Sequence, residues 1–310
     1  MPRIVQLSVP QEVTTKLVEE LQKMNGLIGL RVQKGISLKP KGDVISMEIT
    51  NRKFSNLMEL LSMQKLVDDV HVSVSTSEPN SIISKSSQSQ ITTDVSEAIW
   101  EEMQATINKQ SGMTVNMLLT MFLVGVIAVV GIITNALHIV VAAMVLAPAF
   151  EPITRISLGL VSTSVDWKNG LADTVKGYLL LLAGALFGAL ILYLLGKDLS
   201  SGDTTYLPRG VLLQYWTSIT VTSLVVDIAA AMIGALLIVT HRSVLTAGVM
   251  IALALVPATA IAGIGIVATN WDMVAQALLR LLVEISIVAT CTAIIFLWKK
   301  NSIHKRKMFR

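Results

Sequence analysis

Along the first 75 residues the spacing of apolar positions switches repeatedly between two periods. Residues 3–9 alternate as a strand does, and Val13, Leu17, Leu21 and Met24 then recur at helical spacing over about 10–24, with Pro10 suited to the first turn and Gly26 to the end. Ile28, Leu30 and Val32 alternate, as do Ile45, Met47 and Ile49, across a loop of glycine, lysine and proline that reads as a hairpin. Phe54, Leu57, Leu60 and Leu61 form the stripe of a second helix over about 52–67, and Val70, Val72 and Val74 predict a fourth strand. The order βαββαβ predicts an N-terminal α+β ferredoxin-like domain over 1–75, with two helices on one face of an antiparallel sheet.

Residues 76–112 read as a linker and a juxtamembrane helix. The stretch 75–92 is rich in serine and contains Pro79 and Asn80, a composition that predicts flexibility. Val95, Ile99, Met103 and Ile107 then recur every four residues, with Asp94, Glu97, Glu101 and Glu102 in the first turns. This predicts an amphipathic helix with Trp100 as an interfacial anchor.

From residue 113 the alternation gives way to continuous apolar runs. They predict a transmembrane domain over 113–298 with six crossings, at 113–134, 137–161, 177–195, 212–239, 244–268 and 274–298. Two of the six carry proline where a helix has to continue: Pro148 and Pro152 in the second, Pro257 in the fifth. Proline removes a backbone donor and clashes with the carbonyl four residues back, so both crossings are expected to break. Open backbone at that depth persists only where protein or a water-filled cavity covers it.

Charge placement sets the expected orientation. The chain is 53% hydrophobic and 15% charged, with its charges crowded into the first 112 residues and the tail. No cleavable signal precedes the head, which is expected to be cytoplasmic. The tail 299–310 holds Lys299, Lys300, Lys305, Arg306, Lys307 and Arg310 and no acid, while the external loops show no basic excess. Both termini are therefore expected inside, by the positive-inside rule. Cys291 is the single cysteine, which excludes a disulfide framework or cysteine metal cluster. The basic side of the head, with Arg31, Lys34, Lys39, Lys41, Arg52 and Lys53, reads as a solvated face beside an anionic leaflet. Its strands lack the exposed aromatics of an RNA-binding sheet, so no nucleic-acid partner is expected.

Segments one to three match four to six in outline. Each half has an apolar helix ending in a similar step (Ile133-Thr134, Val239-Thr240), a proline-broken helix, a tryptophan at the next turn (Trp167, Trp271), and a closing helix with a basic residue nine positions on (Lys176, Arg280). Three crossings per half invert the second half, the 3+3 inverted repeat of many secondary transporters, whose sites lie where the broken helices meet.

The stretch TNALHIVVAAMVLAPAFEPITRISLGL at 134–160 and the stretch ALALVPATAIAGIGI at 252–266 carry a family resemblance. They resemble the two characteristic segments of domain of unknown function 389, the uncharacterised hydrophobic domain family of prokaryotic membrane proteins. Both prolines of the first segment are kept, and Glu151 stands where glycine is common. The resemblance covers about 113–298 and implies the membrane architecture, in a prokaryotic inner membrane, rather than an activity.

Ionisable groups at membrane depth are costly and so are functional candidates. Glu151 and Arg155, four apart at the first break, can pair across a turn, either as a structural ion pair or for substrate or proton coupling. Asp227 is the most isolated acid, and with Arg155 as shared partner it is expected to line one aqueous site with Glu151. Asn135, Ser157 and Thr259 are neutral candidates. Arg280 and Glu284 are also four apart, but weigh toward structure, with Arg280 snorkelling to the interface. The small-xxx-small pairs Gly184/Gly188 and Ala230/Gly234 point to helix contact. The four histidines make no metal spacing and no Gly-rich phosphate loop occurs, so no enzyme activity, metal or cofactor is expected. The expected partners are membrane lipids, a small solute or ion, and further copies of the chain. The leading expectation is a secondary transporter or channel-like protein for a small polar or ionic solute. Its rival is a membrane-anchored sensor or scaffold.

Overall fold

The computed structural model describes residues 2–66, 69–79, 81–94, 99–164, 166–196, 211–240, 249 and 253–304. It divides into a head, Met1–Trp100 with Lys299–Arg310, and a body, Glu101–Trp298.

In the head, β1 (Arg3–Val9), β2 (Leu27–Leu38), β3 (Lys41–Ile49) and β4 (Ser73–Ser77) form one sheet in the order β2-β3-β1-β4, with every neighbouring pair antiparallel. The register opposes Val5 to Met47 and Leu7 to Ile45, so the alternating residues of both central strands meet on one face. Val5, Leu7, Val9, Ile45, Met47 and Ile49 are buried there with Leu17 and Leu21 of α1 (Gln11–Gln22) and Phe54, Leu57 and Leu61 of α2 (Asn51–Met63). The fourth strand starts three residues later than the valine alternation predicts. It lies at the sheet edge and is almost wholly exposed, so burial imposes no apolar pattern on it.

The serine-rich stretch is more ordered than its composition predicts. It contains the end of β4 and a short helix α3 (Gln88–Thr92), and it returns to the head through Asp94. The Asp94 carboxylate accepts the backbone N–H groups of Asn51 at 2.7 Å and Arg52 at 3.2 Å. Thr50, which precedes α2, makes no side-chain cap, so Asp94 supplies the acceptor that the first turn lacks. Asp94 is thus a cap for α2 and not part of the following helix. That helix, α4 (Trp100–Ser111), begins later than predicted, and Val95 and Glu97 lie outside the described residues. Ile99, Met103 and Ile107 are buried as their spacing predicts, and Trp100 is buried too, contrary to an exposed interfacial role.

The body contains α5 (Val115–Ile133), α6 (Leu137–Leu146), α7 (Glu151–Ser162), α8 (Asp166–Gly196), α9 (Val211–Thr217), α10 (Val221–Val239), α11 (Leu255–Val267) and α12 (Trp271–Lys299). Four helices among the described residues, α5, α8, α10 and the one beginning at Trp271, are long and apolar enough to cross a membrane. The pair α6 and α7 is bent by 42° across a short break and together meets the same test. Six crossings are therefore more than the described helices provide: of 244–268, only residue 249 and 253–268 are described, and α11 is 13 residues long. Leu119, Leu123, Leu179, Leu190, Val225 and Leu282 stay exposed, as side chains facing lipid would. By contrast Leu255 to Gly265 of α11 are all buried, and a helix that is apolar all round belongs inside.

Helix α8 carries much of the packing, holding α5, α7 and α11. Its contact with α5 depends on absent side chains. A Cβ on Gly184 would collide with the Phe122 carbonyl, one on Gly125 would meet the Leu181 carbonyl, and Gly188 lies against Val126. The Gly184/Gly188 spacing is thus a helix contact, as predicted. Gly234 faces Phe150 in the same manner.

Two measurements test these contacts. Gly184→Leu drives a branched side chain into backbone, and overpacking of this kind costs about 1–3 kcal/mol. The purified variant should melt earlier in mild detergent, whereas Leu190→Ala, at an exposed position, should not. In the head, Asp43 accepts the Gly35 N–H at 2.7 Å, and this bond, with the Thr14 side chain, holds its carboxyl below the usual 3.8. A carboxyl depressed in the fold contributes stability above its unfolded value and loses it as pH falls through its folded value. Asp43→Asn should flatten the loss of head structure below about pH 4, followed by circular dichroism.

Candidate functional site

The last body helix brings two charged residues four positions apart to one face. Arg280 Nε donates to Glu284 Oε1 at 2.8 Å, and the side chains are only 4% and 0% exposed. Arg280 therefore does not snorkel to an interface. Its Nη1 donates to the carbonyls of Tyr215 and Ser218, each at 2.8 Å, at the C-terminal end of α9. Those carbonyls belong to the last turn of a helix, where no intrahelical donor remains, and the guanidinium fills that need.

Immediately after this turn α10 starts with a reciprocal cap between Thr220 and Ser223. Two turns into α10, Asp227 is 2% exposed and within electrostatic reach of Arg280. Glu284 in turn feels both Asp227 and Arg280, and the Ala254 N–H at the start of α11 is directed at its carboxylate. Oε2 of Glu284 nevertheless completes no hydrogen bond. On the other side Tyr178 of α8 lies within electrostatic reach of Glu284 and Glu151. It donates its hydroxyl to the Ala149 carbonyl at 3.3 Å, inside the α6–α7 break. Two carboxylates, one guanidinium, one phenol and one helix start therefore converge from α8, α10, α11 and α12, with the Glu151 carboxylate of α7 within reach of the phenol.

The prolines create the ends that face this cluster. Ala147, before Pro148, is extended at ψ 122°, as the residue before proline prefers, and α6 stops there. Pro152 then sits in the first turn of α7, where its missing donor costs little. Pro257 occupies the same place in α11, which begins at Leu255. Pro257 thus opens a helix, and whether a helix runs into it from 244–248 lies outside the described residues.

The predicted site residues separate into two groups. Asp227 lies in the cluster, and Glu151, the first residue of α7, reaches it through Tyr178. Arg155 is held elsewhere: Nη1 meets Asp173 at 3.0 Å and Nη2 meets Asp166 at 3.7 Å, both on α8. Asp227 has its guanidinium in Arg280 instead, so the site shared by Glu151, Arg155 and Asp227 is corrected at Arg155. Asn135 is exposed and takes a left-handed φ of 53°, with the next residue's N–H bonded to the Gly131 carbonyl at 2.8 Å. It is a helix terminator rather than a ligand, a role asparagine tolerates because left-handed backbone costs it least after glycine. Ser157 donates to the Ala289 carbonyl of α12 at 2.8 Å, and Thr259 to the Leu255 carbonyl of its own helix at 2.9 Å. Both hydroxyls are buried close to the cluster's helices, with their protons already committed.

Sequence reasoning undervalued Arg280 and Glu284 and missed Tyr178. The i,i+4 spacing of opposite charges in an apolar run was the available signal for the first two. For Tyr178 there was none, because its partner carbonyl is 29 residues away.

The pattern of the family described as Domain of unknown function (DUF389) matches residues 144–290, from the end of α6 past Glu284. Over that stretch, a little under half of its length, the chain is similar to the DUF389 family. The matched region contains Glu151, Tyr178, Asp227, Arg280 and Glu284, so the cluster lies wholly within the stretch that is similar to this family. The chain is also similar to an uncharacterised protein of Methanocaldococcus jannaschii, MJ0678, at 22% identity over 317 residues. That likeness spans 99% of this chain and 93% of the relative, and so includes the head. No solved structure matches the chain significantly.

The ion pair makes a direct prediction. Arg280→Ala leaves Glu284 buried without its partner and uncovers two carbonyls, a change that costs about 3–5 kcal/mol when a buried pair is broken. The double variant Arg280→Gln, Glu284→Gln removes both charges and should lose less. Thermal melting of the three purified proteins in detergent decides the order.

Proposed function

We propose that this protein is a secondary transporter or channel-like protein for a small polar or ionic solute, with the Asp227–Arg280–Glu284 cluster as its site. One observation carries the reading: ionisable side chains are buried among apolar helices where proline-started helices begin. Charges at such depth are expensive, and they are retained where an ion or polar solute is handled.

The sequence of element lengths supports an inverted 3+3 repeat. A 19-residue helix (α5, α10), a proline-started helix of 12 or 13 residues (α7, α11) and a long helix of 31 or 29 residues (α8, α12) occur in the same order twice. Both proline-started helices end on a left-handed threonine, Thr163 and Thr269, whose following N–H returns to the glycine five residues back. On this reading α6–α7 is a broken helix, α11 is the second half of its counterpart, and transport moves the broken elements against α5, α8, α10 and α12. The head's strand order supports a ferredoxin-like domain, placed on the cytoplasmic side with the basic tail, in a prokaryotic cell membrane. A homo-oligomer belongs to the same reading, through surfaces other than the glycine faces, which pack within one chain.

A sensor or scaffold role draws on a different observation. An open pocket at the start of α2, lined by Gly26, Thr50, Arg52, Lys53, Thr93 and Asp94, joins basic side chains to the linker. A ligand there would compete with Asp94, so the two readings separate by where the solute binds.

Proteoliposomes test transport by uptake of isotopically labelled amino acids, small carboxylates and alkali cations, with an internal pH-sensitive dye to report any accompanying proton. At least one solute should enter only with protein present, and Asp227→Asn or Glu284→Gln should abolish that entry while Arg52→Ala leaves it. Absence of any protein-dependent flux across the panel removes the reading. Orientation is read separately: in a Cys291→Ser background, Ser201→Cys should be labelled from outside and Ser302→Cys only after permeabilisation.

A further inference from the structure

The charges in the cluster do not balance among the described residues. Among the described residues, Arg280 is the cation facing two buried carboxylates, Asp227 of α10 and Glu284 of α12. The neighbouring elements do not make up the deficit. From α8 the ionisable group in reach is Tyr178 and from α7 it is Glu151, neither a cation, and the α7 cation Arg155 is held by Asp166 and Asp173, while α9 contributes carbonyls to Arg280 and α11 contributes the Ala254 N–H. α11 has no ionisable side chain at all. An excess negative charge shielded from water is too costly to leave uncompensated.

Geometry shows where a compensating charge fits. Glu284 Oε1 is taken by Arg280, whereas Oε2 is buried and completes no hydrogen bond. A metal cation of the hard type takes about six oxygens or more. Here Arg280 stands beside the carboxylate as a repelling charge, and the Ala254 N–H directed at it is a donor and not a ligand. A proton requires one open carboxylate oxygen and turns it into a donor toward neighbouring acceptors.

We infer that Asp227 and Glu284 together hold one exchangeable proton, with Arg280 as their fixed counter-charge among the described residues, and that this proton is the coupling ion of the transport cycle. The inference deepens the transport reading and rests on it for the coupling role, while its first test needs no flux. Binding forms one O–H bond on a carboxylate oxygen, with a hydronium ion on one face of the membrane as donor. Release breaks that bond to water, on the opposite face after the broken helices have moved. The ionised pair of acids is then free to attract a cationic or polar solute, and reprotonation weakens that attraction.

Infrared difference spectroscopy on the full chain in lipid nanodiscs tests the shared proton. At neutral pH the wild-type protein should show a protonated-carboxyl C=O band that shifts in D2O. Both Asp227→Asn and Glu284→Gln should lose it, because either change leaves one acid matched to Arg280. Glu284→Asp, which keeps the carboxyl, should retain it and thereby controls for loss of folding. Adding sodium or potassium at fixed pH should leave the band in place. A wild type without the band, its retention in either amide variant, or its removal by an alkali cation overturns the inference. If the band behaves as expected but proteoliposomes show no flux, the shared proton stands and the transport reading fails. Flux without the band fails the proton instead.

Discussion

A guanidinium shut away from water must find acceptors for its donors inside the protein, and Arg280 does so by tying α12 to the end of α9. It bonds its own helix neighbour Glu284 and the two open carbonyls that end α9. This fixes where α9 stops, hence where the cap of α10 begins and where Asp227 lies. It also fixes Glu284 against the start of α11. Such networks gain little over an apolar replacement of the same shape, yet become costly when one member is removed, so they specify an arrangement more than they stabilise it.

The same requirement to satisfy backbone explains the hydroxyls around the break. Pro148 and Pro152 interrupt the hydrogen-bond ladder between α6 and α7, and Tyr178 covers the Ala149 carbonyl that is left. Ser157 ties α7 to α12 by donating to a carbonyl already inside a helix, a bond that links the two halves of the body across 132 residues of sequence. Hydroxyl-to-carbonyl bonds of this kind exchange partners at low cost, unlike packed methyl groups. The body therefore combines a rigid glycine contact between α5 and α8 with polar, rearrangeable contacts around α7 and the start of α11.

Periodicity revealed the elements whose apolar faces are simple. The alternation in β1 and β3 and the stripes of α1 and α2 gave the head's element order, because each has one buried side. It failed at β4, an edge strand that buries little, and at Asp94, whose partners are 42 and 43 residues away. In the body, composition revealed the apolar helices and the prolines marked the ends of α6 and the starts of α7 and α11. Asp227 stood out because nothing polar of comparable strength surrounds it in sequence. Its cation was misassigned, since choosing between Arg155 and Arg280 depends on which helix lies opposite, a matter of packing that no local spacing records. Arg155 had near acids on the following helix, Asp166 and Asp173, and local pairing there removed it from the cluster.

The largely buried α11 has a consequence for how the protein is made. Its 13 residues extend about 20 Å, against the roughly 30 Å of a bilayer's apolar core. A helix that short, with Gly263 pressed against Ala185 and Gly265 against Val274, has little to gain from leaving the translocon alone. It can settle only after α8 has been delivered and once α12 has followed it. α12 meanwhile enters lipid carrying Arg280 and Glu284, which neutralise each other within one turn and so lower the barrier to its own insertion. The small-residue face of α11 is therefore covered only in a chain long enough to include both α8 and the start of α12.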